Sequence, residues 1–336
     1  MPPTLRDVAR EAGVSAATVD RVLHDRPGVS ARMRARVLGA ARQLGYLVQD
    51  VADTTRPVRL VALLPAGTNA FIEDLALRLS REAAGMAGVG LRIERPDPLD
   101  GAGLAERLLA QKGRAEGVAV VAVNHPAVRE ALRALDEAGV RVVTLASDVP
   151  GVPRTGYVGI DNGQAGRLAG LLIGRFLGPG AAGKVALFAG TLAYRGHQER
   201  EMGFRQVLAE EFPRLEILEL RESREDRDRA AAEARGLFAQ HPDLRAIYNA
   251  GGATMGVAEA LKAEGRARDV VLVAHDATAE KTALLLDGTL DAVIDQDAGA
   301  EAREALERLS AAVRGEARAP IPLRLQLILR ENLPAA

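Results

Sequence analysis

In Thr4-Leu5-Arg6-Asp7-Val8-Ala9-Arg10-Glu11-Ala12-Gly13-Val14-Ser15-Ala16-Ala17-Thr18-Val19-Asp20-Arg21-Val22-Leu23 the apolar positions Leu5, Val8, Ala9 and Ala12 recur with the period of a helix, and Thr4 stands where a cap would. Asp7, three residues on, forms a capping box with Asp in place of the usual Glu. Gly13 stops this helix, because the left-handed residue that closes a helix is least strained as glycine. Ser15 then caps a second helix whose inner face carries Val19, Val22 and Leu23. Two helices joined by so short a turn have helix-turn-helix spacing, and the small Ala9 allows a close crossing. A third helix is predicted from Ser30 through Val37, Leu38, Ala41 and Leu44 to Gly45. The second helix leaves Ala16, Ala17, Asp20 and Arg21 at a short polar tip, which favours a DNA reader over a purely structural hairpin.

Charge agrees with that arrangement. Residues 1–49 hold eight arginines (Arg6, Arg10, Arg21, Arg26, Arg32, Arg34, Arg36, Arg42) against four acids (Asp7, Glu11, Asp20, Asp25), whereas the formal net charge of the whole chain is -1. A basic head on a mildly acidic body points to a polyanionic partner for the head alone. With 336 residues, 48% apolar and 26% charged, the chain has the composition of a globular protein of two or three domains. It has no cysteine, so disulfides, iron–sulfur clusters, thiolate zinc sites and thiol nucleophiles are excluded. No run approaches the ~18 apolar residues of a spanning helix, and the first turns carry charges where a signal peptide would be apolar. A cytoplasmic location without a membrane partner is expected.

The stretch from Thr4 to Leu23, followed by Val29-Ser30 and Leu44-Gly45-Tyr46, resembles the DNA-binding head of the LacI/GalR family of transcription regulators. The resemblance implies that Ala16, Ala17 and Arg21 face base edges in the major groove of double-stranded operator DNA while Thr4, Ser15 and Thr18 bind phosphates. Alanine methyls suit thymine methyls, and an arginine fork suits guanine O6 and N7. Asp20 departs from the serine usual in the family, and beside phosphates it is unfavourable unless it accepts from cytosine N4 or a neighbouring arginine. The family's hinge helix, with its leucine wedge, would fall on Leu47-Val48-Gln49-Asp50-Val51-Ala52-Asp53-Thr54-Thr55-Arg56-Pro57. Thr55 stands where the wedge belongs, and Asp50 and Asp53 would face an anion, so a linker that stays extended or weakly helical is expected.

From Val58 the pattern changes to short apolar strands alternating with amphipathic helices, as in parallel α/β units. Strands are predicted at 59–64, 90–94, 117–123, 140–145, 155–159, 184–189, 216–221, 246–249, 270–274, 292–295 and 323–330. Helices are predicted at 71–87, 126–138, 162–177, 199–212, 224–240, 256–264 and 300–314, among others. This is about twice one doubly wound domain. Asn124-His125-Pro126, Val158-Gly159-Ile160-Asp161-Asn162, Arg200-Glu201-Met202-Gly203-Phe204, Val271-Leu272-Val273-Ala274-His275-Asp276 and Ile294-Asp295-Gln296-Asp297 extend the resemblance to the family's body and to type I periplasmic sugar-binding proteins. It implies two doubly wound parallel-sheet lobes with a ligand cleft between them. The fold class expected is therefore an all-α helix-turn-helix head (1–47), a linker (48–57) and an α/β body (58–336). Lobe 1 would hold about 58–158 and 293–320, and lobe 2 about 159–292 and 321–333.

A polyhydroxylated ligand needs acceptors, a donor fork and a flat apolar face. Asp148, Asp161 and Asp276 can accept, Arg200 can donate, Asn69, Asn124, Asn249 and Gln296 can do both, and Phe71 can stack. Asp161 and Asp276 each also suit a helix cap, so it is the convergence of strand ends in the resembled fold that groups these residues as an effector site. Where the family carries an Asn-Asp pair, this chain has Asn249-Ala250-Gly251-Gly252, which passes a polar contact to Asn249 or loses it.

Two enzyme readings fail on spacing. Gly178-Pro179-Gly180-Ala181-Ala182-Gly183-Lys184-Val185 lacks the hydroxyl of a phosphate-binding loop and runs from helix to strand, the reverse of the order needed. The five histidines show no metal-ligand pairing, so His197 and His275 are expected to be hydrogen-bonded or solvated. No catalytic residue, metal or cofactor is expected. The resemblance implies a transcription regulator, a repressor by the family's habit, acting as a homodimer or tetramer and answering a sugar, polyol or related effector. A solute-binding protein feeding a transporter is the alternative, at odds with the basic head.

Overall fold

A computed structural model describes residues 4–23, 28–44 and 57–333 and divides the chain into two compact units, 1–57 and 58–336. In the first, α1 (Leu5–Glu11), α2 (Ala16–Leu23) and α3 (Ala31–Gln43) enclose a core of Val8, Ala9, Ala12, Val19, Val22, Val37, Ala40 and Ala41. The capping box forms: the Thr4 amide donates to Asp7 Oδ2 at 2.8 Å, and the Asp7 amide to Thr4 Oγ1 at 3.4 Å. The Thr4 donors and Arg10, 2.8 Å from Asp7 Oδ1, hold the Asp7 carboxyl below its ordinary range. Gly13 is left-handed at φ +59°, Ser15 Oγ accepts from the Thr18 amide, and Ser30 Oγ accepts from the Met33 amide. The third helix ends at Gln43; Gly45 and the expected linker up to Arg56, including Asp50, Asp53 and Thr55, lie outside the described residues.

The second unit contains β1 (Val58–Leu63), α4 (Ala70–Gly85), β2 (Val89–Glu94), α5 (Gly101–Leu109), β3 (Gly117–Val120), α6 (Pro126–Glu137), β4 (Arg141–Leu145) and β5 (Gly156–Val158). Next come α7 (Asn162–Leu177), β6 (Gly183–Ala189), α8 (Arg195–Glu211), β7 (Leu215–Ile217), β8 (Arg221–Glu222), α9 (Arg227–Gln240) and β9 (Leu244–Asn249). The chain closes with α10 (Thr254–Ala263), β10 (Val271–His275), α11 (Ala279–Asp287), β11 (Ala292–Asp295), α12 (Ala298–Val313), β12 (Gln326–Ile328) and a short 3-10 turn at Arg330–Asn332. Two sheets result, ordered β2-β1-β3-β4-β5 and β12-β11-β10-β9-β6-β7, with β8 also paired to β6. Each buries near-continuous apolar strands between helices, as parallel sheets must.

Several boundaries differ from expectation for physical reasons. The strand expected at 216–221 is two short segments, β7 and β8, which pair with different stretches of β6. The crossing back to lobe 1 expected at about 293 falls after Asp295, because Val293, Ile294 and Asp295 pair with β12 and β11 also lies beside β10. The last strand is antiparallel to β11, so the second sheet is mixed rather than wholly parallel. α12 then packs on α4 and the first sheet. Helices α7 and α8 touch backbone to backbone: a Cβ at Gly166 would overlap the Arg200 carbonyl, and one at Gly203 would overlap that of Gly163. That approach sets where Arg200 enters the space between the lobes.

Candidate functional site

The loops that leave the strand ends of both sheets converge on one cavity of about 680 Å³, part of it open to solvent. This is where open α/β sheets bind ligands. From lobe 1 come Asn69, Phe71, Ile72 and Ser147; from lobe 2 come Asn162, Tyr194, His197, Arg200, Glu225, Asp276 and Gln296.

Arg200, on the second turn of α8, is 5% exposed. Its Nε donates to Asn162 Oδ1 at 2.7 Å and its Nη1 to the Ala250 carbonyl at 2.8 Å. Nη2 makes no hydrogen bond among the described residues. Two bonds fix the plane of the guanidinium, and the third nitrogen is left for something in the cavity. Asp276, in a left-handed conformation at φ +63°, accepts from Gln296 Nε2 at 2.7 Å through one oxygen. Behind it the buried Lys281 ammonium donates to the carbonyls of His275 and Asp276. Burial lowers the Lys281 pKa, with the Asp276 charge opposing. Gln296 Oε1 is buried without a partner. Asn69 caps α4 by accepting from the Phe71 and Ile72 amides, and so sets Phe71 at the mouth of its helix. Phe71 is 6% exposed and packs into the lobe 1 core as well as lining the cavity.

Asn69, Phe71, Arg200, Asp276 and Gln296 are thus brought together, whereas the other four expected effector residues do not line the cavity. Asn124 Oδ1 is occupied by Arg129 Nε and Nη2. Asp148 accepts from Thr144 and the Val149 amide and pairs with Arg154 at 2.6 Å. Asp161 caps α7 through the Gln164 amide. Asn249 donates to Gly252 and Thr254 and so shapes the loop that carries Gly251 to the cavity wall.

The lining residues that were not expected include Asn162, Tyr194, His197 and Glu225. Glu225 and its neighbour Arg224 are both left-handed (φ +60° and +54°), a conformation that costs on the order of 1–3 kcal/mol for a residue with a side chain. Glu225 Oε2 accepts from Asn69 Nδ2 at 3.0 Å, linking lobe 2 to lobe 1 across the cavity. Burial raises the Glu225 pKa, opposed by Asn69 and the Gly252 amide. Burial also pushes His197 down to about 4, and pushes His275 well down, so both rings act as neutral hydrogen-bonding groups at pH 7. His197 Nδ1 lies 2.8 Å from the Thr191 carbonyl, and His275 Nε2 lies 2.7 Å from the Tyr248 hydroxyl. Among the described residues no group of three or more His, Asp or Glu could hold a metal ion.

In the head, Ala17 and Arg21 are exposed and one helical turn apart, and so share a face of α2. Asp20 is half-buried, and Ala16, expected to be exposed, is half-buried against the head core. Thr4, Ser15 and Thr18 serve the helix caps, with the Ser15 and Thr18 hydroxyls 2.9 Å apart.

Residues 4–49 match the lacI family of bacterial regulatory proteins, and residues 61–317 match the periplasmic binding protein domain. The chain belongs to the LacI family. Its body has the periplasmic-binding-protein fold and its head the family's DNA-binding domain, which makes this LacI-family member a DNA-binding regulator with a sensor domain. The ribose operon repressor of Bacillus subtilis is 28% identical over 242 residues, covering 71% of this chain and 70% of the repressor. The ribose import binding protein RbsB of Salmonella typhimurium is 28% identical over 203 residues, 59% of this chain and 67% of RbsB. The crystal structure of GanP, a glucose-galactose binding protein from Geobacillus stearothermophilus, superposes with a TM-score of 0.76 at 22% identity, covering 83% of this chain and all of GanP. Among the described residues of this LacI-family chain no helix is long and apolar enough to cross a membrane.

Proposed function

We propose that the body binds a small polyhydroxylated molecule between its lobes, and that occupancy of the cleft sets the affinity of the head for operator DNA. The observation that carries this reading is the half-used hydrogen-bonding set of the cavity: Arg200 with Nη2 unengaged and Gln296 Oε1 orphaned, together with the Asp276 carboxylate, beside the Phe71 ring. Such a set fits ring hydroxyls and an apolar sugar face. The names of the ribose repressor and RbsB lend support to a sugar or related polyol. Ligand that prefers one arrangement of the lobes shifts the population toward it, and in a homodimer that alters how two heads fit two half-sites. The protein acts in the cytoplasm and performs no catalysis. On the head, Ala17, Arg21, Ala16 and Asp20 read bases, and Thr4, Ser15 and Thr18 hold phosphates.

Head-driven binding has a direct test. Operator affinity measured by fluorescence anisotropy falls steeply with salt, with a log–log slope of about -0.9 for each phosphate neutralised. Removing residues 1–57 abolishes operator binding and leaves ligand binding intact. Specific operator binding that persists in residues 58–336 would refute the assignment of DNA contact to the head.

A further inference from the structure

The cavity wall holds a carboxylate that the polyol reading does not use. Glu225 is held there by local structure: two successive left-handed residues turn its side chain inward, and its carboxylate lies flat on backbone without Cβ atoms, since a methyl group at Gly190 or Gly252 would overlap it. Asn69 Nδ2 donates to Oε2 at 3.0 Å, and Asn69 Oδ1 accepts from the Phe71 amide, so one asparagine ties both residues to the cavity that they line.

Two cations, Arg200 and the buried Lys281, stand against the two acids Glu225 and Asp276 here, and Lys281 acts on Glu225 without pairing with it. Among the cavity-lining side chains Arg200 is the cation, and Glu225 and Asp276 are the acids. Asp276 has Gln296 on one oxygen and the Lys281 ammonium behind it. Arg200 commits two nitrogens to Asn162 and Ala250. Among the described residues no cation forms an ion pair with Glu225. A carboxylate removed from bulk water is unfavourable unless it is paired, and a hydroxyl satisfies it less well than a charged donor does. The Phe71 ring, which lines the same cavity, adds attraction for a positive group that reaches its face.

We infer that Glu225 is a specificity-determining residue that selects a ligand carrying a protonated amine beside its hydroxyls, an amino sugar or aminopolyol, with the ammonium seated between the Glu225 carboxylate and Phe71. The inference rests on the reading of the cleft as the effector site and narrows its ligand class. Burial raises the Glu225 pKa in the protein alone, and an ammonium beside the carboxylate lowers it again.

The test is isothermal titration calorimetry at pH 7 on the full-length protein with matched probes: D-glucosamine against D-glucose, D-galactosamine against D-galactose, and 1-amino-1-deoxysorbitol against sorbitol. In the wild-type protein the amine member of at least one pair binds ten-fold or more tightly than its neutral partner. In Glu225→Gln, which keeps an acceptor for Asn69, that advantage falls to about unity while the melting temperature stays near wild type. Glu225→Asp, which withdraws the charge by one methylene, loses part of the advantage. Neutral members that bind as well as or better than amines overturn the inference and leave the effector site standing. An amine preference that survives Glu225→Gln also overturns it. If no probe of either kind binds, the reading of the cleft as a polyol sensor falls, and the inference falls with it.

Discussion

Substituting Arg200 by alanine is expected to weaken effector binding by roughly 30- to 5,000-fold while leaving ligand-free operator binding intact. The guanidinium is almost fully buried, two of its nitrogens are fixed by Asn162 and Ala250, and the third is available to the cavity. Truncating one partner of a desolvated charged hydrogen bond costs about 2–5 kcal/mol, which takes a micromolar ligand to a Kd between roughly 30 μM and 5 mM. Alanine also frees Asn162, whose Nδ2 donates to the Ala146 carbonyl and the Tyr157 hydroxyl, so structural loss has to be separated from lost contact. Arg200→Lys keeps the charge but cannot reproduce the planar three-point geometry. It is expected to melt near wild type and to bind at least ten-fold more weakly. Calorimetry together with thermal unfolding checks both variants; wild-type affinity in each would place the ligand elsewhere.

The second large effect is on stability. Glu301, on the first turn of α12, is fully buried, and neither carboxyl oxygen has a hydrogen-bond partner. Burial raises its pKa to about 8, with the nearby Ala146 amide opposing and the Asp276 charge adding to the rise. The folded protein therefore holds a proton that the unfolded chain releases above its ordinary carboxyl pKa near 4.5. Between those two values the folded state binds more protons, so the contribution is full at low pH and is lost as pH rises through the window. Glu301→Gln cannot ionise. The wild-type protein is expected to lose on the order of 3 kcal/mol between pH 5 and pH 8 that the variant does not lose. Denaturant unfolding of both proteins across that range gives the comparison, and parallel curves would show that Glu301 is ionised or solvated at neutral pH.

The sequence made the head legible because its signals are local. Thr4, Asp7, Gly13 and Ser15 act within a few residues of themselves, and the structure uses each as the pattern predicts. The alternation of strands and helices is equally readable, and of the residues grouped by strand-end position Asn69, Phe71, Arg200, Asp276 and Gln296 line one cavity. Asn124, Asp148, Asp161 and Asn249 lie outside that cavity lining, since a polar residue after a strand also caps the next helix, closes a loop or holds a neighbouring side chain, as Asp161, Asp148 and Asn249, and Asn124 do here. Glu225 escaped because its helix was expected to start at 224. The chain instead makes two left-handed residues before Asp226 caps α9, and a backbone held that way by tertiary contacts leaves no periodic trace. Glu301 escaped too: an acid on an amphipathic helix reads as solvent-facing, yet α12 is covered along most of its length by α4 and the first sheet. Glu304 and Arg308 are buried on the same helix, paired with each other, with Arg318 reaching Glu304 as well.

The central claim is that the contents of the cleft govern the head. It is tested most directly by the operator-binding isotherm of the full-length protein, with DNA selected from a random pool, measured with and without a saturating concentration of the tightest-binding probe. Operator affinity is predicted to change about 5–150-fold in the wild-type protein, corresponding to about 1–3 kcal/mol of coupling, and in Arg200→Lys the same response is displaced to at least ten-fold higher probe concentration. Superimposable wild-type isotherms, with calorimetry showing the cleft occupied, would contradict it.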